Sequence, residues 1–250
     1  MLLIAIGVLA IQTGIGSPAP ELKLSPFYKK CLMVRGLPIV SSDKTSDLAL
    51  QAAAKIVDVM LRKRPEVVKA MIERKLRIAI MAQSEQTLDI PEHSDLQKAF
   101  PGTDWNKRAR GLGATLERPC ISGAEENLLG LPGDRYKGEC ILIHEFGHTV
   151  LNFGMEAIDK TFRTRIQKAF DTAKKSGAWK NTYAMTNLDE YWAEGVQSWF
   201  DSNQKGPPGG NGVHNDVWNR ESLKSADPVL YELLNEVFVA DWKWTPPGSK

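Results

Sequence analysis

Residues 141–148 read Ile-Leu-Ile-His-Glu-Phe-Gly-His, and no other stretch constrains the fold as much. Two histidines four positions apart share a face when the segment is helical. The three apolar residues in front of them ask for that helix to be buried. A chain with this segment must therefore enclose a helix in its core and still leave one polar stripe of it facing a cavity. Only four histidines occur in the 250 residues, and two of them lie here. A helix with two incidental surface histidines would not need the apolar flank.

The segment fits the pattern H-E-x-x-H. Neutral imidazole nitrogens suit zinc, which at a catalytic site takes about three protein ligands and keeps one position open. His144 and His148 supply two of them. Glu145 sits beside them, where it can act as general base toward water. The third ligand has to come from elsewhere. A longer pattern, H-E-x-x-H-x-x-G-x-x-H, would need a histidine at position 154, which is Gly154, and the next histidine is His214. Glu156 is too near to return on a separate helix. Glu190 and Glu194 lie four apart in Asp189-Glu190-Tyr191-Trp192-Ala193-Glu194, on one face of an expected helix. Either can bind the ion while the other accepts the free N–H of a liganding histidine.

The stretch Tyr183-Ala184-Met185-Thr186-Asn187-Leu188-Asp189-Glu190-Tyr191-Trp192-Ala193-Glu194 resembles the Tyr-x6-Glu-x3-Glu segment of the anthrax lethal factor family of gluzincin metallopeptidases. Bacterial Pro-Pro endopeptidases share a similar arrangement. Glu190 follows His148 by 42 residues, in keeping with the spacing in those families. The resemblance spans about residues 137–201. It implies Zn2+ as the cofactor, Glu190 as the third ligand, and Glu194 as the carboxylate that holds a liganding histidine. It also implies that the Tyr183 phenol donates to the oxyanion of the transition state, a task that suits a neutral hydroxyl near a metal. Two other gluzincin groups fit less well. The position where aminopeptidases place their ligand glutamate is Gln167 here, and the thermolysin-like position is Lys168. Gly123-Ala124-Glu125-Glu126-Asn127 is similar to the amine-binding motif of aminopeptidases, but without that ligand its glutamates read as loop or strand residues.

The order of elements is helices, scattered strands, then mostly helices, which is α+β rather than a regular β-α-β series. Helices are expected over 48–62, from Pro65 to 75, over 136–153 with Gly154 as C-cap, over 156–175 ending at Gly177, over 189–201, and from Asp227-Pro228 to about 240. A buried strand is expected over 76–82. A short one over 111–117 has glycines that would let an extended peptide pair with its edge. Residues 17–42, 83–109 and 119–138 read as irregular. His93 and His214 read as turn residues, and Trp192, Trp199, Trp218, Trp242 and Trp244 as core. With the resemblance, this order implies a zincin-like metallopeptidase domain with a small mixed sheet and an active-site helix.

Leu2 to Ile11 is an unbroken apolar run, no charge precedes Glu21, and small residues follow at Gly14, Gly16 and Ser17. This reads as a signal peptide over 1–16, leaving a secreted catalytic domain over 17–250. About 14 apolar positions fall short of the ~20 that a membrane span needs, so no span is expected in the mature chain. In a secreted chain Cys120 and Cys140, which flank the loop before residue 141, are the favoured disulfide pair, with Cys31 free. A net charge of +2 gives no case for a nucleic-acid partner. The expected activity is hydrolysis of peptide bonds in a peptide or protein substrate. The alternative of a different class is an inactive zinc-stabilised binding or toxin-like module, and Glu145 and Tyr183 speak against it because neither is needed merely to hold metal.

Overall fold

In the computed structural model, which describes residues 14–245, four strands form one sheet. They are β1 (Lys30–Val34), β2 (Leu37–Ser41), β3 (Arg77–Met81) and β4 (Cys120–Ala124), side by side in that order. β1 and β2 are antiparallel, and the other two pairings are parallel. Side chains alternate across the sheet as a strand's period of two requires. Ile39, Ile78, Ile80 and Ile121 join the large core under the helices, while Val40, Ala79, Met81 and Cys120 join a smaller cluster on the opposite face with Tyr28 and Ile90. The sheet is mixed, and the α+β reading holds.

The hairpin β1–β2 lies in a stretch expected to be irregular. Its two-residue turn is Arg35-Gly36, with φ of 50° and 85°. Positive φ at both positions is the twist that a tight hairpin needs. Pro38 sits opposite Met33, one step from the closing pair Val34–Leu37. That is a non-hydrogen-bonded position of the antiparallel ladder, so its missing N–H costs the pairing nothing. β4 also lies in a stretch expected to be loop.

Two helices, α1 (Asp47–Leu61) and α2 (Pro65–Glu73), carry the chain from β2 to β3. The Ser46 side chain accepts from Leu48 N to cap α1, and Pro65 occupies the first turn of α2. The central helix α3 (Ile141–Thr149) begins later than its apolar pattern suggests. Cys140 is extended, and the Ile141 N–H donates to Asn127 Oδ1 at 2.9 Å, which fixes the start. Beyond Thr149 the helix does not stop but widens into π turns over Val150–Met155. Gly154 is therefore not a C-cap. It lies against α2, where a Cβ would come within 2.4 Å of Val67 Cγ1, so only glycine permits this approach.

The second half is helical: α4 (Phe162–Ser176), α5 (Leu188–Trp199), α6 (Arg220–Ala226) and α7 (Pro228–Val237). α4 closes at Gly177 in the left-handed region, φ 74°. α3 and α5 pack against each other at close range. A Cβ on Gly147 would sit 3.2 Å from Val196 Cβ, and Trp192 Nε1 donates to Gly147 O at 3.0 Å. Phe146, Trp192 and Trp199 are fully buried around this contact, and burying an apolar side chain of such size is worth about 1.5–3 kcal/mol.

The expected Cys120–Cys140 bridge does not form, and all three cysteines are free and buried. Cys120 points into the small cluster on one face of β4, whereas Cys140 belongs to the helical core on the other. Burial pushes the Cys31 thiol up to about 11 and that of Cys140 up to about 12, so these are packing residues rather than nucleophiles. The expected strand over 111–117 reduces to a single antiparallel bridge, Leu112–Ser122, followed by a turn at Thr115–Arg118. Most of the expected signal peptide, residues 1–13, lies outside the described residues; Gly16 bridges Cys31. Among the described residues no helix is long and apolar enough to cross a membrane.

Candidate metal centre and active site

α3 and α5 bring their polar stripes together at the mouth of the close contact. His144 and His148 project from α3, one turn apart, with their Nε2 atoms 3.1 Å from each other. Glu190 comes from the first turn of α5, whose start is fixed by Asn187 Oδ1 accepting from the N–H of Asp189 and of Glu190. Its Oε2 lies 3.0 Å from His144 Nε2 and 3.3 Å from His148 Nε2. The ligand atoms of all three residues fall within 4.8 Å of one another. Two imidazoles and a carboxylate so disposed form a donor set that suits a divalent first-row ion. The residues fit a metal.

The tautomer of His144 supports this. Gln197 is fully buried, and its Nε2 donates to Ser202 O at 3.4 Å, so its amide oxygen is the atom turned toward the histidine. Gln197 Oε1 lies 2.8 Å from His144 Nδ1. An amide oxygen only accepts, so Nδ1 keeps its proton, and it is Nε2 that gives up a proton and turns its lone pair to the centre when a cation binds. The resemblance gave this orienting task to Glu194. Glu194 Oε1 is 3.8 Å from His144 Nδ1, beyond a hydrogen bond, and its Oε2 accepts instead from Asn203 Nδ2 at 2.8 Å. Glu190, Glu194 and Gln197 occupy positions i, i+4 and i+7 of one helix, so they share the face turned to α3.

Charge is concentrated here. Burial works against a cationic His144, but the carboxylates Glu190, Glu145 and Glu194 outweigh it and push its pKa to about 10. Burial also works to raise Glu190, and the two imidazoles overcome that and hold its carboxyl far below the usual range. Burial raises the carboxyl of Glu194. Such a cluster of negative groups around paired imidazoles is the electrostatic setting a cation would balance.

Glu145 lines the same cleft, of about 450 Å³, and among the described residues its carboxylate has no hydrogen-bond or ion-pair partner. Tyr183 lies in a tight turn just before α5, and its hydroxyl donates to Glu190 Oε1 at 3.2 Å. Burial, then the Glu190 carboxylate, push the phenol up to about 12, so it remains a neutral donor. The six residues singled out in the sequence thus meet in one place. Besides Gln197, three features were not anticipated from the sequence. His214 is not a solvated turn residue: it lines the cleft and pairs with Glu139 at 3.1 Å. Gly111 and Gly113 run directly over Glu145, with a Cβ on Gly113 falling 3.3 Å from Glu145 Oε2. Arg110 anchors that segment through a buried pair with Glu126, N–O distances 2.6 and 3.0 Å. Glu125 holds the N–H groups of Ser46 and Gln83, each at 2.8 Å, so both upstream glutamates are structural.

The architecture that frames this cluster is shared by a known endopeptidase. The chain is similar in structure to the Pro-Pro endopeptidase PPEP-2 from Paenibacillus alvei, with a TM-score of 0.51 and 16% identity, over 80% of this chain and 97% of that one. At that identity the likeness speaks for the fold. No protein-family model and no curated protein matches the chain.

Proposed function

We propose that this chain is a secreted zinc-dependent metalloendopeptidase of the gluzincin class. The observation that carries the reading is the convergence of His144, His148 and Glu190 within 4.8 Å, with Glu145 and Tyr183 in the same cleft. His144, His148 and Glu190 would hold the zinc, which when bound polarises a carbonyl and makes water a better nucleophile. Glu145, with its carboxylate unpaired, takes the proton of the attacking water and passes it to the departing amine. Tyr183 exchanges its contact with Glu190 Oε1 for the developing oxyanion. Gln197 keeps His144 in the liganding tautomer.

The substrate would lie along Gly111-Leu112-Gly113. Leu112 spends both of its backbone groups on Ser122 of β4. In an extended segment the groups of Gly111 and Gly113 point away from Ser122, and Gly111 lines the cleft, where a peptide can pair with this edge. The fold likeness to an endopeptidase agrees with this; the proline specificity in that protein's name does not carry over. Secretion rests on the apolar run from Leu2 to Ile11. The test is cleavage of casein or a peptide library by zinc-loaded protein with and without a chelator. Chelator-sensitive cleavage supports the reading, and zinc binding without cleavage of any peptide would favour the inactive module instead.

A further inference from the structure

Arg108, at the last position of a short helix, Trp105–Arg108, lines the same cleft as the His214–Glu139 pair. Every other arginine of the chain has a side-chain hydrogen bond or ion pair: Arg110 with Glu126, Arg118 with Asp95, Arg163 with Asp189, and so on round the molecule. Arg108 has none among the described residues. It is exposed, its guanidinium lies 5.9 Å from the Trp105 ring, and its charge is felt at the Tyr183 phenol, where it opposes the effect of Glu190. Three of the four carboxylates that line the cleft are engaged elsewhere: Glu190 with the two imidazoles, Glu139 with His214, and Glu194 with Asn203. Glu145 lies under the glycine segment on α3.

A planar, permanently charged fork at the rim of a peptide cleft, with no anion of its own, is suited to bidentate recognition of a carboxylate. We infer that Arg108 is a specificity residue that selects peptides presenting a carboxylate near the scissile bond. That carboxylate is either an acidic side chain or the C-terminal group. The inference rests on the peptidase reading for its placement beside the scissile bond. The cation–π contact with Trp105, 5.9 Å from the guanidinium carbon to the ring centroid, limits how many orientations the guanidinium gives up on binding, which favours a defined contact over a diffuse one.

The experiment uses the zinc-loaded full chain and fluorescent peptides that differ only by Glu, Gln or Lys at each position flanking the cleaved bond, or by a free against an amidated C-terminus. Equilibrium binding by anisotropy is measured beside the cleavage rate. The parent should favour one Glu peptide over its Gln twin about tenfold, as a charge-assisted hydrogen bond allows, and the preference should shrink at about 1 M salt, where the Debye length is ~3 Å. R108Q should bring the ratio to one, and R108E should reverse it toward Lys peptides, a gain that misfolding cannot produce. Discrimination confined to the free-acid and amide pair assigns the carboxylate to the C-terminus. Equal binding of all twins by the parent, or discrimination that survives in R108Q, overturns the proposal. A charge preference in binding with no cleavage of any peptide would instead sink the peptidase reading and leave the carboxylate site standing.

Discussion

Gln197 and His144 are joined by a hydrogen bond of 2.8 Å from the histidine Nδ1 to the amide oxygen. Because the amide nitrogen is turned to Ser202 O, the contact fixes both the tautomer and the plane of the ring. Outer partners of this kind typically contribute 10–100-fold to metal affinity. Gln197→Leu should therefore weaken zinc binding by ~10–100-fold, read as the zinc dissociation constant in competition with a chromogenic chelator. Gln197→Glu, which still accepts, should retain most of the affinity. If Glu194→Gln costs more affinity than Gln197→Leu, the orienting role belongs to Glu194 after all.

Glu190 has two oxygens with two tasks. Oε2 faces the imidazoles and Oε1 accepts from Tyr183. Glu190→Ala removes a ligand and should release most of the zinc on dialysis, as metal analysis would register. Tyr183→Phe should leave the zinc content intact and lower turnover by ~10²–10³-fold with little change in KM, the signature of a lost transition-state donor. Parent-like turnover in Tyr183→Phe would remove that tyrosine from the mechanism.

Of the two glycines over Glu145, Gly111 is the one that leaves no room for a side chain. A Cβ on Gly111 would meet Ile141 Cγ2 at 2.8 Å and Ser122 O at 3.0 Å. Gly111→Val should thus cost about 1–3 kcal/mol in stability, the usual penalty of overpacking, with a matching drop in the denaturant midpoint. Gly113→Ala is milder, because the nearest atom is the movable carboxylate Oε2 of Glu145 at 3.3 Å. It should reduce kcat with little change in stability. A destabilised Gly113→Ala with an unchanged kcat would show that the segment does not position Glu145.

Metal removal should be visible without any substrate. A ligand that binds only the folded state stabilises it by RT ln(1 + [L]/Kd), or about 4 kcal/mol at a thousandfold excess over Kd. Chelation should therefore lower Tm by several degrees in the parent and leave Glu190→Ala unchanged. An equal shift in both would mean that the ion sits elsewhere.

Much of the centre was legible in the sequence because its chemistry is periodic. His144 and His148, and Glu190 and Glu194, are each spaced by one helical turn, and their helices were visible as apolar patterns. What was hidden depends on tertiary contact. Gln197 becomes the partner of His144 only when α3 and α5 close to the distance set by Gly147 and Val196. His214 enters the cleft from a distant loop through Glu139, which no local pattern reveals. The hairpin of β1 and β2 was masked by Pro38, whose harmlessness depends on its ladder position. β4 is short and holds Ser122 and Gly123, so its local composition reads as loop until Ile121 and Cys120 are seen to face different clusters. The cysteine pairing failed for the same reason, since residues close to one loop in sequence ended on opposite faces of one strand.

Glu145 is proposed as a base acting beside a metal, rather than a bystander of a structural site. The most direct measurement pairs zinc content with single-turnover peptide hydrolysis in the parent and in Glu145→Gln. Gln keeps the shape and cannot accept the proton. A general base at this position requires equal zinc, an unchanged Tm, and hydrolysis slower by ~10²–10⁴-fold, the usual contribution of such a group. Hydrolysis at the parent rate with zinc retained would contradict it.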